Sequence, residues 1–484
     1  MKKPDIYNII KISVAVVFAL LTALASLAGF PQEIGLMAED LVYQHPGNIP
    51  HNITIIAIDE KTLEKLGPYS GWDRNYFADL IDILCSDGKP AVIGLDIIFS
   101  GSGDTDADNA LAAAAARYGN VVTASKLETD VRLNGGIESF VAGETTAYPG
   151  LDAVSDHGFT TPVFDIDGYI RRSSGLVSSD GREYTGFALK VAQKAGYTVP
   201  VSGVYEFSYS GKPGSFETVP MSKVLDGSVP ASYFRGKIVL VGAYEEGMMD
   251  SYSVPIDHSR NMYGVEIQAN MIAALIDGKL THTLPAAVRA SAAFVLTAAL
   301  GFVILRRRLR TSLITAAAAA VLYTPACLLL FSLTSLKADV LVVPGAAVIL
   351  FAVSLIVRYL ETQRQRREDM QKMLFSIADS MAEAIEGRTP YNANHTKNVA
   401  KRCIEMLDFI NDLHKKKQTG YHFSKNDRKQ LYLAAMLHDI GKMDVPTNVM
   451  DKPTRLGSKI LRSGSSTISE AVFTAEMTVS RYLI

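Results

Sequence analysis

The sequence predicts a multidomain membrane protein: an α/β extracytoplasmic domain, four transmembrane helices and an all-α cytoplasmic end. Three observations carry this reading. Four apolar runs are each long enough to cross a bilayer; the long segment between the first two alternates β-branched runs with helical stretches; and basic clusters mark one side of the membrane. The length suggests about three domains. A net charge of −2 over 484 residues gives no reason to expect nucleic acid as a partner.

The first run, Ile6 to Phe30, follows Met1-Lys2-Lys3 and is interrupted only by Lys11. Its length exceeds the roughly 7 to 15 apolar residues of a signal-peptide core, so residues 1–30 read as a retained anchor. Ala286 to Leu305, Leu313 to Leu333 and Val340 to Val357 are the other spans, filling 286–358. Lys2, Lys3 and Lys11, then Arg306, Arg307, Arg308 and Arg310, then Arg358, Arg364, Arg366 and Arg367 all belong inside. The turn with only Lys337 and Asp339 fits the outer side, so 31–285 is expected outside and everything after Arg358 inside. Cys85, Cys327 and Cys403 then fall in three compartments, which forbids an intramolecular disulfide. The spans carry little that is polar beyond Ser, Thr and Tyr, which argues against a transport path. Small residues at Ala316 to Ala320 and Gly345 to Ala347 allow close helix approach.

Within 31–285, strands are expected at Ile53 to Ile58, Val92 to Phe99, Val121 to Thr123 and Ile238 to Val241, with helices at Arg74 to Leu84 and Asn109 to Arg117. The strands are nearly continuous apolar runs, so both faces of the sheet should be covered. Asp59 and Asp96 lie at strand ends, where ligands bind in open α/β sheets; the commoner role of such an Asp is a helix cap or turn former. Asp165-Ile166-Asp167-Gly168 reads as a turn, and no Glu follows at EF-hand spacing.

Gly94-Leu95-Asp96-Ile97-Ile98-Phe99, Gly158-Phe159, Asp165-Ile166-Asp167-Gly168-Tyr169-Ile170-Arg171-Arg172, Val241-Gly242-Ala243 with Asp250 and Val254-Pro255, and Gly264-Val265-Glu266-Ile267-Gln268-Ala269-Asn270 occur in this order. Together they resemble the second type of CHASE domain. The resemblance implies an extracytoplasmic sensor for an unidentified ligand, followed by three membrane helices and an output domain, in a multi-pass protein of the bacterial inner membrane.

After Arg358 a charged helix, Tyr359 to Lys372, leads to Met370, Leu374, Ile377, Met381 and Ala384 at a and d heptad spacing. This linker, 359–386, suits either a dimeric signalling helix or one that packs on its own domain, and a homodimer is the expected assembly. Further on, Leu431, Leu433, Ala434, Ala435, Met436 and Leu437 form an apolar helical run ending at His438-Asp439, and Gly441 is expected to stop the helix. An adjacent His and Asp offer an imidazole nitrogen and a carboxylate to one small volume, with Lys442 placed to meet a phosphate.

Tyr391-Asn392-Ala393-Asn394-His395, the amphipathic stretch with Val399, Cys403, Met406, Leu407 and Ile410, then His438-Asp439-Ile440-Gly441-Lys442, Val445-Pro446 and Met450-Asp451-Lys452 resemble the opening of an HD-GYP domain, here 387–459 and partial. The resemblance implies His395, His438 and Asp439 as ligands of divalent metal ions, iron or manganese, and Lys442 as a catalytic phosphate contact. It further implies a phosphodiesterase that opens cyclic di-GMP. Two such cations lower the pKa of a shared water and neutralise charge on a phosphodiester.

The pattern departs after Leu456. The further histidines, the Gly-Tyr-Pro loop and the final Asp of the resembled family are not found, the last histidine is His438, and 460–484 is an atypical tail with Ser463-Gly464-Ser465-Ser466-Thr467. The expectation is a truncated or frameshifted product with little or no activity. The competing reading is a non-catalytic membrane receptor whose cytoplasmic stub binds nucleotide or a protein partner. No glycine-rich phosphate loop follows the fourth span, which disfavours a kinase or cyclase output.

Overall fold

The computed structural model of the chain describes residues 6–30, 32–133, 137–387 and 394–446. Met1-Lys2-Lys3, Tyr391-Asn392-Ala393, Met450-Asp451-Lys452 and the tail with Ser463 to Thr467 lie outside the described residues. Two compact units divide the chain, Met1–Ser354 and Leu355–Ile484.

The first unit begins with α1 (Ile6–Leu27) and α2 (Gln32–Tyr43). β1 (Ile53–Ile58), α3 (Glu60–Leu66), α4 (Asn75–Ile83), β2 (Val92–Asp96), α5 (Thr105–Tyr118), β3 (Val121–Leu133), β4 (Ile137–Thr145), α6 (Pro149–Asp152) and β5 (Asp156–Phe159) follow. Next come β6 (Arg172–Ser179), β7 (Arg182–Thr185), α7 (Phe187–Lys194), β8 (Gly203–Phe207), β9 (Thr218–Pro220), α8 (Met221–Leu225), β10 (Ile238–Ala243), β11 (Ser251–Val254), β12 (Asp257–Tyr263), α9 (Gly264–Asp277) and β13 (Leu280–Thr283). The central sheet runs β4-β3-β2-β10-β1-β9 with β5 also on β3; all its pairings are parallel except β3 with β4.

Strand alternation sends side chains to two cores, which is why the strands read as unbroken apolar runs. Ile53 and Ile55 of β1, with Ile238 and Leu240 of β10, pack with α7 and α9 residues such as Phe187, Val191, Val265 and Ile272. Ile56 and Ile58, with Val239 and Val241, pack with Phe77, Leu80 and Ile81 of α4 and Leu111 of α5. The expected cover on both faces is present.

Two expected strands differ in length. β2 ends at Asp96, because its last partners are Gly242 on β10 and Val121 to Thr123 on β3. Phe99 instead buries against Phe77, ring centroids 5.1 Å apart and edge-on. β3 continues to Leu133, since beyond its parallel pairing it forms a hairpin with β4. A second sheet, β13-β8-β6-β7 with Leu336–Lys337 added beside β13, was not anticipated from the sequence. The expected turn at Asp165 is present: the Asp165 amide donates to the Tyr169 carbonyl and Gly168 lies at φ 81.

α10 (Ala286–Arg306), α11 (Leu309–Thr334), the short β14 (Leu336–Lys337) and α12 (Val342–Glu386) complete the membrane part. Four helices, α1, α10, α11 and α12, are long and apolar enough to cross a membrane. The tightest approach is between α1 and α10: a side chain at Gly301 would come within 2.9 Å of Ala15 Cβ. One sequence expectation needs correction here. Arg289 sits in the first turn of α10 and bonds Asp339, so the spans are not free of ionised groups. Asp339 also accepts from Ser26 Oγ at 2.5 Å, and Lys337 pairs with Glu206 at 3.1 Å, so both charged residues of this turn are paired. The fourth span and the linker are one helix, because no Gly or Pro occurs between Ala346 and Glu386 to break it.

The second unit adds α13 (His395–Lys415) and α14 (Lys425–Leu437). Its core is Ala378 and Ala382 of α12, Ala400 of α13, and Ala435 and Met436 of α14. Ser424 caps α14, its hydroxyl accepting from the Asp427 amide while Asp427 accepts from the Ser424 amide, which fixes where the helix starts. Both linker readings meet the same helix. Ala378, Ala382 and Ile385 pack on their own unit, whereas Met370, Leu374 and Ile377 of the heptad face are exposed.

Candidate metal centre

His395 is the first residue of α13, and His438 is the residue that ends α14. The apolar run before His438 is helical as expected, with Ala435 and Met436 buried, and it carries the histidine to the end of the helix. Gly441 does not stop the helix. α14 already ends at Leu437, Asp439 turns the chain, and Gly441 lies inside a single 3₁₀ turn, Ile440–Asp444, without a left-handed φ.

The packing of α13 on α14 brings the two histidines together, their ring centroids 5.6 Å apart. His395, His438 and Asp439 each present one ligand atom, and these atoms lie within 4.8 Å of one another. His438 Nδ1 donates to the Ala435 carbonyl at 2.8 Å, which leaves Nε2 as the lone-pair nitrogen, 3.2 Å from Asp439 Oδ2. Lys442 Nζ bonds the same Oδ2 at 2.5 Å. The four residues singled out from the sequence therefore meet in one place. Two imidazoles and a carboxylate converging at this distance suit one divalent transition metal, with open positions left for water or substrate.

The sequence reading missed Glu386, whose carboxylate accepts from the Asn394 and Thr396 amides on either side of His395. A glutamate nine residues before a histidine has no periodic signature, so only the fold reveals it.

Compared with known families, residues 14–305, more than half of the chain, match the family described as CHASE2 domain. The chain belongs to the CHASE2 family. In this CHASE2 protein residues 392–475 also match the family described as HD domain, which takes in all four site residues. No curated protein and no solved structure matches the CHASE2 chain. A CHASE2 sensor joined to an HD-type domain, with four apolar helices, makes this a membrane signalling receptor. Its HD-type domain carries a possible His/Asp metal-binding group.

The sensor has acidic features of its own. Asp59 is a helix cap, accepting from the Thr62 amide at 2.9 Å and the Thr62 hydroxyl at 2.7 Å. Asp96 makes no such cap; burial, and then the like charge of Asp250, push its carboxyl up to about 8. The Asp165–Arg172 turn is more than a turn. Arg171 bonds Asp40 at 2.7 and 2.6 Å and also Asp165 and Asp167, and His258 Nε2 reaches Asp40 at 3.1 Å. This buried knot ties α2, the helix after the first span, to the α/β core.

Proposed function

We propose that this receptor couples a signal received by an extracytoplasmic CHASE2 domain to an HD-GYP-type output acting on cyclic di-GMP in the cytoplasm. The observation that supports this reading is the convergence of His395, His438 and Asp439 within 4.8 Å, with Lys442 beside them. The positions of Arg306 to Arg310 and of the arginines after Arg358 support an inside C-terminus in a bacterial inner membrane. The exposed face of Met370, Leu374 and Ile377 supports a homodimer along α12.

In this reading His395, His438 and Asp439 hold a divalent iron or manganese ion. When bound, that ion polarises a phosphodiester and lowers the pKa of a water. The Ala435 carbonyl keeps the His438 tautomer with Nε2 toward the site. Lys442 supplies a positive charge to the substrate phosphate once it leaves Asp439. Among the described residues these three protein ligands suit one ion. A site of three ligands is accordingly expected to bind one ion and to turn over little or no cyclic di-GMP. The same ligand count favours a second reading, a non-catalytic receptor whose cytoplasmic part binds nucleotide or a protein partner.

The test is to purify the whole chain in detergent with Mn²⁺ or Fe²⁺, count bound metal, and follow cyclic di-GMP by chromatography. Metal retained by the wild type and lost in His438→Ala supports the site. Turnover that vanishes in His438→Ala would overturn the expected inactivity, and absence of metal would leave only the receptor reading.

A further inference from the structure

α13 begins without a cap of its own. Asn394 lies at φ 66, and its side chain makes no hydrogen bond to the helix. The first amides of a helix have no intrahelical partners, and Thr396 is 1% exposed, so water cannot easily serve its amide. Glu386, the last residue of α12, takes this role from another helix. One carboxylate oxygen accepts from the Thr396 amide at 2.7 Å and the other from the Asn394 amide at 3.0 Å. Burial alone would raise its carboxyl, but these amide bonds hold it below the ordinary range. One turn back on α12, Glu383 pairs with Lys397 at 2.9 Å.

His395 lies between the two bonded amides. Its side chain is exposed and lies beside the His438 ring and Asp439, so among the described residues packing does little to fix it. The backbone on either side of it does, and that backbone is anchored to the end of α12.

We propose that Glu386 is a positioning residue: it holds His395 in ligand geometry, so that the placement of the C-terminal end of α12 decides whether the His395–His438–Asp439 cluster is assembled. This rests on the metal-site reading above and names how that site is regulated. A displacement of about 1 Å at the end of α12 stretches both amide bonds out of range and releases the first turn of α13. Linkage makes the coupling reciprocal, so metal held by His395 also steadies the end of α12.

The test titrates the full-length chain in detergent with Co²⁺, read by its visible absorption, for the wild type, His438→Ala, Glu386→Ala and Glu386→Gln. The expected result is a Co²⁺ affinity about 10-fold weaker in Glu386→Ala, with an altered band for the ion that does bind. Glu386→Gln, which keeps one acceptor oxygen, should restore part of both. A purely structural role would lower the unfolding temperature and leave affinity and band unchanged, which overturns the proposal even where Glu386→Ala is poorly folded, because Glu386→Gln then shows no intermediate value. If the wild type binds Co²⁺ no better than His438→Ala, the metal-site reading falls and this inference with it. If His438 matters and Glu386 does not, the inference alone falls.

Discussion

The α/β unit buries Ile53, Ile55 and Leu240 on one face of its central sheet and Ile56, Ile58 and Val241 on the other, whereas the helical unit closes on Ala378, Ala382, Ala400, Ala435 and Met436. Each buried methylene contributes about 0.8 kcal/mol, so among the described residues a core of four alanines and one methionine, flanked by half-buried Val399, Tyr432, Leu433 and Leu437, holds its helices weakly beside two cores of Ile, Leu, Val and Phe. The helical unit relies more on its edges. Asn411 and Phe423 exchange hydrogen bonds at 3.0 and 2.8 Å, Arg428 meets Asp408, and Ser424 caps α14. The difference teaches where responsiveness resides: segments with few buried apolar contacts open at low cost, and here that segment carries the candidate ligands His395, His438 and Asp439.

The contrast is open to direct attack. The largest effect is expected from Arg171→Ala, which removes the guanidinium shared by buried Asp40, Asp165 and Asp167, leaves only His258 beside Asp40 and Arg172 beside Asp165, and should cost about 3 kcal/mol. Denaturant unfolding followed by Trp72, the single tryptophan and a residue of the α/β unit, measures it. A small loss would mean that the knot is not the lock between α2 and the core.

Met436→Ala comes next, with an expected cost of about 2 kcal/mol in the thin core. Hydrogen exchange should show the amides of α13 and α14 losing protection while those of β1 and β10 keep theirs. Equal loss in both units would contradict the view that their cores are independent.

The smallest effect concerns pH. Burial pushes the Glu39 carboxyl up from its ordinary 4.5 to about 7, Lys337 and Arg289 opposing and Asp339 and Glu206 reinforcing. The folded state then holds this proton more tightly than the unfolded state, so stability falls as pH rises from 4.5 to about 7 and is flat above. Glu39→Gln should remove that slope and be more stable than the wild type above neutrality, by about 1 kcal/mol after allowance for solvent screening. Parallel pH profiles of wild type and variant would break the assignment.

Much of the fold was legible because its signals are local. Span lengths follow from hydropathy: Ala286–Arg306 and the first span end within a few residues of the apolar runs that predict them. β1 and β10 are runs rich in Ile and Val, and the helix before His438 is an apolar run with a defined end. The strands lost from view include β6, β7 and β8, whose mixed polar composition has no strong period.

By itself the sequence determined the number of long apolar helices and the two-sided sheet, since composition and short-range periodicity suffice for these, and its resemblance to known motifs supplied the residue types of the candidate metal site. Only the tertiary structure decided that His395 meets His438, that Arg171 finds Asp40 across 131 residues, that Asp339 joins Ser26 and Arg289, and which face of α12 stays open. Pairings between distant charged or ligand-bearing residues depend on helix lengths, crossing geometry and strand register, and none of these leaves a repeat along the chain. Glu386 is the clearest case: an ordinary glutamate in sequence, it becomes the anchor of His395 only because α12 ends where α13 begins.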